Sequence, residues 1–230
     1  PRASRTIPYV SKTIGVSLAK LAAKIMVGKT LQELGFTEER KIRHVSIKES
    51  VLPFIKFPGV DTILGPEMKS TGEVIGLDRS LGISYAKAQI SAGNSLPVEG
   101  GVAISLADKD KKHLLPTVRK LDELGFNIYA TSGTFALLKE NGIHAERVFK
   151  SGEGSPDIVD LINSNKINLL INTPAGKKSQ FDAAAMRRAA LQHGVPYVTT
   201  TSAAIAAVEG ILALKKEEIT VTSLQEYYAK

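Results

Sequence analysis

Short apolar runs alternate with amphipathic or apolar helical segments throughout residues 94–230. The runs that look like strands are Val102–Leu106, Asn127–Ala130, Arg147–Phe149, Ile167–Ile171 and Tyr197–Thr199. Repeated alternation of strands and helices gives right-handed crossovers, a parallel sheet and helices on both faces of that sheet. We therefore predict an α/β fold for this part of the chain, with ligands bound at the carboxyl ends of the strands.

The helices between these strands have recognisable ends. Ser155–Asp157 supplies an N-cap, a proline at the first helical position and an acid in the first turn. Asn141-Gly142 and His193-Gly194 are typical C-terminal stops. Pro116 should delay or kink a helix that otherwise begins near Asp110, because proline has no N–H group to donate.

The pattern before Gly93 is mixed. A helix is expected from about Ser17, an extended run over Val45–Phe57, a short strand at Glu73–Ile75 and another helix that ends at Gly93. Gly93–Pro97 has the composition of a linker. We therefore predict two domains, an α+β unit over residues 1–93 and the α/β unit over residues 94–230.

Composition narrows the function. The 230 residues carry a formal charge of +7 and contain no Cys, which removes disulfides, Cys-ligated zinc and thiol nucleophiles. No apolar run approaches the roughly 20 residues that span a bilayer, so we expect a soluble cytoplasmic protein without a membrane partner. The cations neither cluster in one arm nor alternate with aromatics, which disfavours nucleic acid and suits phosphate or carboxylate ligands.

Polar side chains follow several predicted strands at the point where each strand ends. Thr131–Thr134 follows one strand and opens a helix, so its hydroxyls and free N–H groups can bind phosphate. Asn172–Lys178 follows another strand, and Lys111 and Lys150 lie just beyond two more. Taken alone, Thr131–Thr134 is as well explained by a helix cap. The coincidence of four strand ends favours one anion site.

Several motifs carry a resemblance to a known family. Ala130–Thr134, Lys150 and Ile171–Thr173 resemble the methylglyoxal-synthase-like domain, a Rossmann-like fold, that ends the large subunit of carbamoyl phosphate synthase. The upstream motifs resemble the end of the second ATP-grasp core of that subunit and the segment that leads out of it; they are Pro1–Thr6, Pro8–Lys12, Lys56–Asp61 and Leu64–Val74. The similarity covers the chain in order, so the first domain is interpreted as an incomplete ATP-grasp unit.

The resemblance implies an enzyme that makes carbamoyl phosphate for arginine and pyrimidine biosynthesis from bicarbonate, glutamine-derived ammonia and two ATP. It also implies a glutaminase small subunit as partner, an oligomeric enzyme, and ATP with magnesium or manganese as cofactors. Arg2 and Arg5 match two arginines that lie beside the acidic intermediate, a role that suits guanidinium groups. The metal ligands of the family precede Pro1, so we expect this piece to hold no metal or complete ATP site and to be inactive alone.

The resemblance also assigns two regulatory sites. The site for the phosphate of uridylate or inosinate maps onto Lys111, Thr131, Gly133, Thr134, Lys150, Asn172 and Thr173. An ornithine site, where the family has one, maps onto Glu49, Tyr197 and Thr199. Pro174 replaces a hydroxyl residue that some relatives carry.

Two other functions compete with this interpretation. A methylglyoxal synthase shares the domain fold, but its chemistry needs a carboxylate base near the phosphate. Thr173–Gly176 offers none, and Asp182 comes several residues later. The second alternative is an interaction module without catalysis, in which the polar strand ends serve only as helix caps, because a fold alone does not certify a site.

Overall fold

The computed structural model describes residues 6–51, 72–174 and 177–228, with the backbone alone for residues 177–182. Five parallel strands form its central sheet in the order β5-β4-β3-β6-β7. They are β3 (Gly101–Leu106), β4 (Asn127–Thr131), β5 (Glu146–Val148), β6 (Leu169–Thr173) and β7 (Tyr197–Val198). The helices that follow them are α4 (Asp108–Glu123), α5 (Ser132–Glu140), α6 (Ile158–Asn163), α7 (Lys177–Gln192) and α8 (Thr201–Lys216). The predicted α/β fold is confirmed.

The two faces of the sheet pack against different helices because successive residues of a strand point to opposite sides. On β3, Val102, Ile104 and Leu106 belong to a core cluster with apolar residues of α4, α5 and α8. Ala103 belongs to a second cluster, with residues of α6 and α7. The strands are therefore covered on both sides, as the nearly continuous apolar runs of a parallel sheet require.

The part before the sheet contains a hairpin and short helices. Its elements are α1 (Thr6–Ile14), α2 (Leu18–Met26), β1 (Val45–Val51), β2 (Gly72–Asp78) and α3 (Leu81–Ser91). β1 and β2 pair antiparallel, with Val45 opposite Asp78 and Val51 opposite Gly72. α2 starts after Ser17, as expected, whereas α1 was not predicted.

Helix α3 joins this part to the sheet domain, which consists of the five-stranded sheet and the helices α4–α8 that cover it. A Cβ at Gly82 would lie 2.5 Å from the Glu209 carbonyl oxygen of α8, so only glycine permits the two helices to approach so closely. Tyr85 and Ala86 of α3 belong to the same apolar cluster as the inner residues of β3. The N-terminal part is therefore packed onto the core of the sheet domain through α3.

The helix ends differ from the sequence expectations in two places. Asp157, and not Ser155, is the N-cap of α6, and it forms a capping box with Asp160. α4 begins at Asp108 and continues through Pro116, so the proline does not delay the helix. Pro116 lies on the exposed side, where water can satisfy the Lys112 carbonyl that loses its partner. The two predicted C-terminal stops are confirmed, with φ of 67° at Gly142 and 66° at Gly194.

The last helix, α9 (Leu224–Tyr228), folds back onto the N-terminal part, where Tyr227 donates a hydrogen bond to the Leu77 carbonyl at 2.9 Å.

Across residues 6–51, 72–174 and 177–228, no helix is both long enough and apolar enough to cross a membrane.

The α3–α8 contact predicts that a fragment starting at the proposed domain boundary, residue 94, is less stable than one that includes α3. A fragment of residues 94–230 should unfold cooperatively, but a fragment of residues 79–230 should be more stable by at least about 2 kcal/mol. The longer fragment keeps the buried residues Ile83 and Tyr85 of α3, which are 2% and 9% exposed. Urea denaturation of the two fragments measures the difference. Equal stabilities would show that α3 adds nothing to the sheet domain.

Candidate functional site

Parallel pairing brings the ends of three strands to one edge of the sheet. β3 lies between β4 and β6, with Ile104 opposite both Ala130 and Ile171, so the residues after these strands are neighbours. The first turns of α4 and α5 begin at this edge. The structure therefore gathers Lys111, Thr131–Thr134 and Thr173 in one region.

Lys111 connects the two helix starts. Its Nζ lies 2.6 Å from Oδ1 of Asp108, one turn earlier in α4. A Cβ on Gly133 would lie only 2.8 Å from the same Nζ, so the ammonium group rests against the first turn of α5. Glycine at position 133 leaves the space that this approach needs. A cation is thus held at a helix N-terminus, where an anion is favoured.

The hydroxyls of Thr134 and Thr173 fix the connection between β3 and α4. Thr134 Oγ1 accepts a hydrogen bond from the Leu106 N–H at 3.1 Å, and Thr173 Oγ1 accepts one from the Ala107 N–H at 3.2 Å. The two threonines are 1% and 3% exposed. They therefore position α4, and with it Lys111, rather than facing an open surface.

A second polar row lies on the opposite face of the sheet. Thr131 Oγ1 donates to Ser105 Oγ at 3.3 Å, and Ser105 pairs in register with Asn172 of β6. Asn172 is 3% exposed; its Nδ2 lies 3.8 Å from Met186 Sδ, and its Oδ1 has no hydrogen-bond partner among the described residues. Ser105 was not predicted, although it is the one hydroxyl residue in the apolar run Val102–Leu106.

The charges at this edge act on Asp108. The hydrogen bond from Lys111, the Lys111 charge and the Lys150 charge lower the pKa of Asp108 below its usual value. Lys150 is exposed and follows β5. Its charge therefore acts in the same region as that of Lys111.

The arrangement can bind an anion. Thr131 is the N-cap of α5, but its side chain makes no capping hydrogen bond, so the first N–H groups of the helix can donate to a ligand. Lys111 and Lys150 supply positive charge, partly offset by Asp108. Within the described part of the chain, no cluster of three or more His, Asp or Glu side chains can hold a metal ion.

The residues of the expected ornithine site lie on two elements. Glu49 of β1 accepts a hydrogen bond from Gln89 of α3 at 3.1 Å, and burial raises the pKa of Glu49 despite that bond. Burial and the nearby Glu49 raise the pKa of Tyr85 to about 12. Tyr197 is half-buried on β7 and Thr199 is exposed. No hydrogen bond between described residues joins either of them to Glu49.

Some expectations fall outside the described residues. Arg2 and Arg5 do so, as do all of the motif residues from 56 to 71, and Ala175 and Gly176. The position of the Asp182 side chain is also outside the described part of the structure.

Comparison with known proteins gives a consistent result. The model of the "MGS-like domain" family matches residues 113–199. The chain is 52% identical over 229 residues to the carbamoyl phosphate synthase large chain of Archaeoglobus fulgidus, covering 99% of this chain and 21% of that protein. It is 52% identical over 241 residues to the "C-terminal section" of that large chain in Methanocaldococcus jannaschii, covering 100% of this chain and 39% of that protein.

A third relative, the carbamoyl phosphate synthase large chain of Methanosarcina barkeri, is 48% identical over 99% of this chain and 58% of its own length. The chain thus spans about a fifth of the relative from Archaeoglobus fulgidus and over half of this one. Among solved structures, methylglyoxal synthase from Elizabethkingia anophelis is similar with a TM-score of 0.40 and 19% identity, over 55% of this chain and 97% of that protein.

The half-buried Glu49 makes a prediction about pH. Because its pKa is raised in the folded protein, ionised Glu49 destabilises the fold at neutral pH, and this cost disappears as the pH falls through the folded pKa. Glu49→Gln should raise Tm by about 1–3 °C at pH 7.5 and by less near pH 4. Thermal melts across this range test it, with the exposed Glu99→Gln as control. A lower Tm for Glu49→Gln at pH 7.5 would contradict the prediction.

Proposed function

Because this chain is homologous over nearly its whole length to carbamoyl phosphate synthase large chains and contains an MGS-like domain, we propose that it is the regulatory end of such an enzyme. The complete enzyme makes carbamoyl phosphate from bicarbonate, ammonia and two ATP, and works in the cytoplasm as an oligomer. A glutaminase small subunit supplies the ammonia. In this proposal residues 94–230 bind a nucleotide monophosphate that controls the rate of synthesis.

The observation that carries this proposal is the contact between Lys111 and the first turn of α5. The phosphate accepts hydrogen bonds from the N–H groups at Gly133 and Thr134 and a charge-assisted bond from the Lys111 ammonium. Lys150 approaches from the end of β5 and adds a second positive charge. The strand order and the starting points of the helices fix the positions of Lys111 and Lys150 at this edge of the sheet.

The remaining polar residues have supporting roles. Thr134 and Thr173 each accept a backbone hydrogen bond, and each hydroxyl keeps its own proton for a ligand oxygen. Asn172 Nδ2 contacts the Met186 sulfur, a weak acceptor, at 3.8 Å, and Oδ1 has no hydrogen-bond partner among the described residues, so this amide keeps hydrogen-bonding capacity for a phosphate. Thr131 orders the start of α5 through Ser105.

The catalytic role that we propose for the first domain rests on family resemblance. Arg2 and Arg5 would contact the carboxylate or phosphoryl oxygens of the carbamate intermediate. ATP and its magnesium or manganese ions would be held by parts of the large chain outside these 230 residues.

The one property of this site that argues against a methylglyoxal synthase is the weak basicity of its nearby carboxylate, Asp108. That reaction needs a carboxylate base near the phosphate. Asp108 is at the right edge, but the Lys111 hydrogen bond and charge lower its pKa and so weaken it as a base. A regulatory phosphate site requires no base.

We further propose that an effector at the domain boundary, such as ornithine, acts on the α3–α8 contact. Glu49 lies beside α3 through Gln89, while Thr199 directly precedes the α8 cap, whose Thr200 Oγ1 accepts from the Ala203 N–H at 3.2 Å. A ligand that binds Glu49, Tyr197 and Thr199 together would favour one arrangement of the two helices. A coupling of about 1–3 kcal/mol between the sites would be ordinary for such an interface.

Removing either lysine tests the phosphate site. Lys111→Ala and Lys150→Ala should each weaken binding of inosinate or uridylate by about tenfold or more, because charge-assisted bonds of this kind contribute about 1.5–3 kcal/mol. Lys109→Ala is the matched control, since Lys109 lies in the same turn of α4 but is exposed. Isothermal titration calorimetry measures the three affinities. Equal affinity for Lys150→Ala and the parent would remove Lys150 from the site.

The intact enzyme separates catalysis from regulation. Arg5→Ala should abolish phosphorylation of carbamate and leave nucleotide binding nearly unchanged. Lys150→Ala should keep basal carbamoyl phosphate synthesis and lose its response to the nucleotide. If Lys150→Ala abolishes basal synthesis in a folded enzyme, the C-terminal domain is catalytic and the proposed regulatory role is wrong.

A further inference from the structure

We propose that Asp108 is a built-in competitor of the phosphate for the Lys111 ammonium group, and so sets the affinity of the regulatory site. The inference rests on the proposed function of that site. Asp108 Oδ1 lies 2.6 Å from Lys111 Nζ and forms an ion pair with it. A phosphate can therefore make full use of Lys111 only by displacing this carboxylate. Asp108 thereby acts as an internal anion.

The two partners of this ion pair differ in how firmly they are held. The Asp108 side chain is 95% exposed, whereas that of Lys111 is 18% exposed and its Nζ rests against Gly133. Asp108 can therefore turn out into water at small cost, while Lys111 is already placed at the N-terminus of α5. Phosphate binding exchanges one carboxylate for another anion and leaves the lysine in position.

The balance of charge explains why the competitor matters. Lys111 and Lys150 contribute two positive charges at this edge, and Asp108 cancels one of them. A doubly charged phosphate monoester still gains strongly from the exchange, whereas a singly charged ligand gains little over the carboxylate that it replaces. Asp108 therefore lowers the affinity of every anion that uses Lys111 by the same factor, and a doubly charged phosphate monoester still binds where a weaker anion no longer does.

Two acidic residues in the first turn of α4 make a controlled experiment possible. Asp108 and Asp110 carry the same charge at the same helix end, but Lys111 is paired with Asp108. We therefore compare Asp108→Asn, Asp110→Asn, Lys111→Ala and the double variant Asp108→Asn/Lys111→Ala in the full chain. Calorimetric titration with inorganic phosphate and with inosinate, at one fixed ionic strength, gives the affinities.

The expected result is that Asp108→Asn binds both ligands about three- to tenfold more tightly, whereas Asp110→Asn changes affinity less than twofold. In the Lys111→Ala background, Asp108→Asn should have almost no effect, because the interaction that it releases has already been removed. This dependence on Lys111 separates competition from a general gain in positive charge.

Three outcomes overturn the inference. Unchanged or weaker binding by Asp108→Asn, in a chain whose phosphate affinity still depends on Lys111, refutes the competition and leaves the proposed function intact. Equal tightening by Asp108→Asn and Asp110→Asn shows that only net charge matters. Binding of inosinate and phosphate that is absent, or indifferent to Lys111→Ala, refutes the proposed site and the competitor together.

Discussion

The connection between β3 and α4 is the constraint on which the candidate site depends. Thr134 of α5 accepts from the Leu106 N–H through its hydroxyl, and Thr173 of β6 accepts from the Ala107 N–H through both its carbonyl at 3.0 Å and its hydroxyl at 3.2 Å. These bonds come from elements on either side of β3, so they fix where α4 starts relative to both neighbours. Lys111 lies in the first turn of α4, so fixing the start of α4 places the Lys111 ammonium group at the N-terminus of α5.

This arrangement explains why buried threonines can belong to a binding site without forming its surface. An unpaired backbone N–H group inside the protein would cost free energy, so Leu106 and Ala107 need acceptors at this edge. The Thr134 hydroxyl is an acceptor for Leu106, whereas Ala107 has the main-chain carbonyl of Thr173 as well as its hydroxyl, and both hydroxyls keep their own protons. Substituting either residue would disturb the placement of a cation as well as any direct ligand contact.

The contact of α3 with α8 has the corresponding role for the rest of the molecule. Gly82 allows the two helices to come close, and Tyr85 enters the core of the sheet domain from α3. The hairpin β1-β2 packs on α3, and Ile47 of β1 also packs against the core cluster of the sheet domain, so a change around Glu49 can reach that domain through α3 and through the hairpin itself. The same packing stabilises the N-terminal part and joins the surroundings of Glu49 to the sheet domain.

Within the sheet domain, the sequence alone determined the order of strands and helices and located the polar strand ends. Its local patterns were sufficient because side-chain alternation and helix stops depend on residues a few positions apart. The five predicted strands match the observed ones, with ends shifted by at most two residues. The family resemblance came from these strand-end motifs together with the upstream motifs in residues 1–74, and the comparisons confirm it.

Other features were decided only by the tertiary structure, because they depend on residues distant in the chain. Burial of Leu114, Val118 and Leu121 against the sheet outweighs the cost of Pro116, so α4 begins at Asp108 and Lys111 becomes helical. The neighbours of Ser105 are residues 131 and 172, which no local pattern reveals. The pairing of Lys111 with Asp108 against Gly133 likewise required two helix starts to meet at one edge of the sheet.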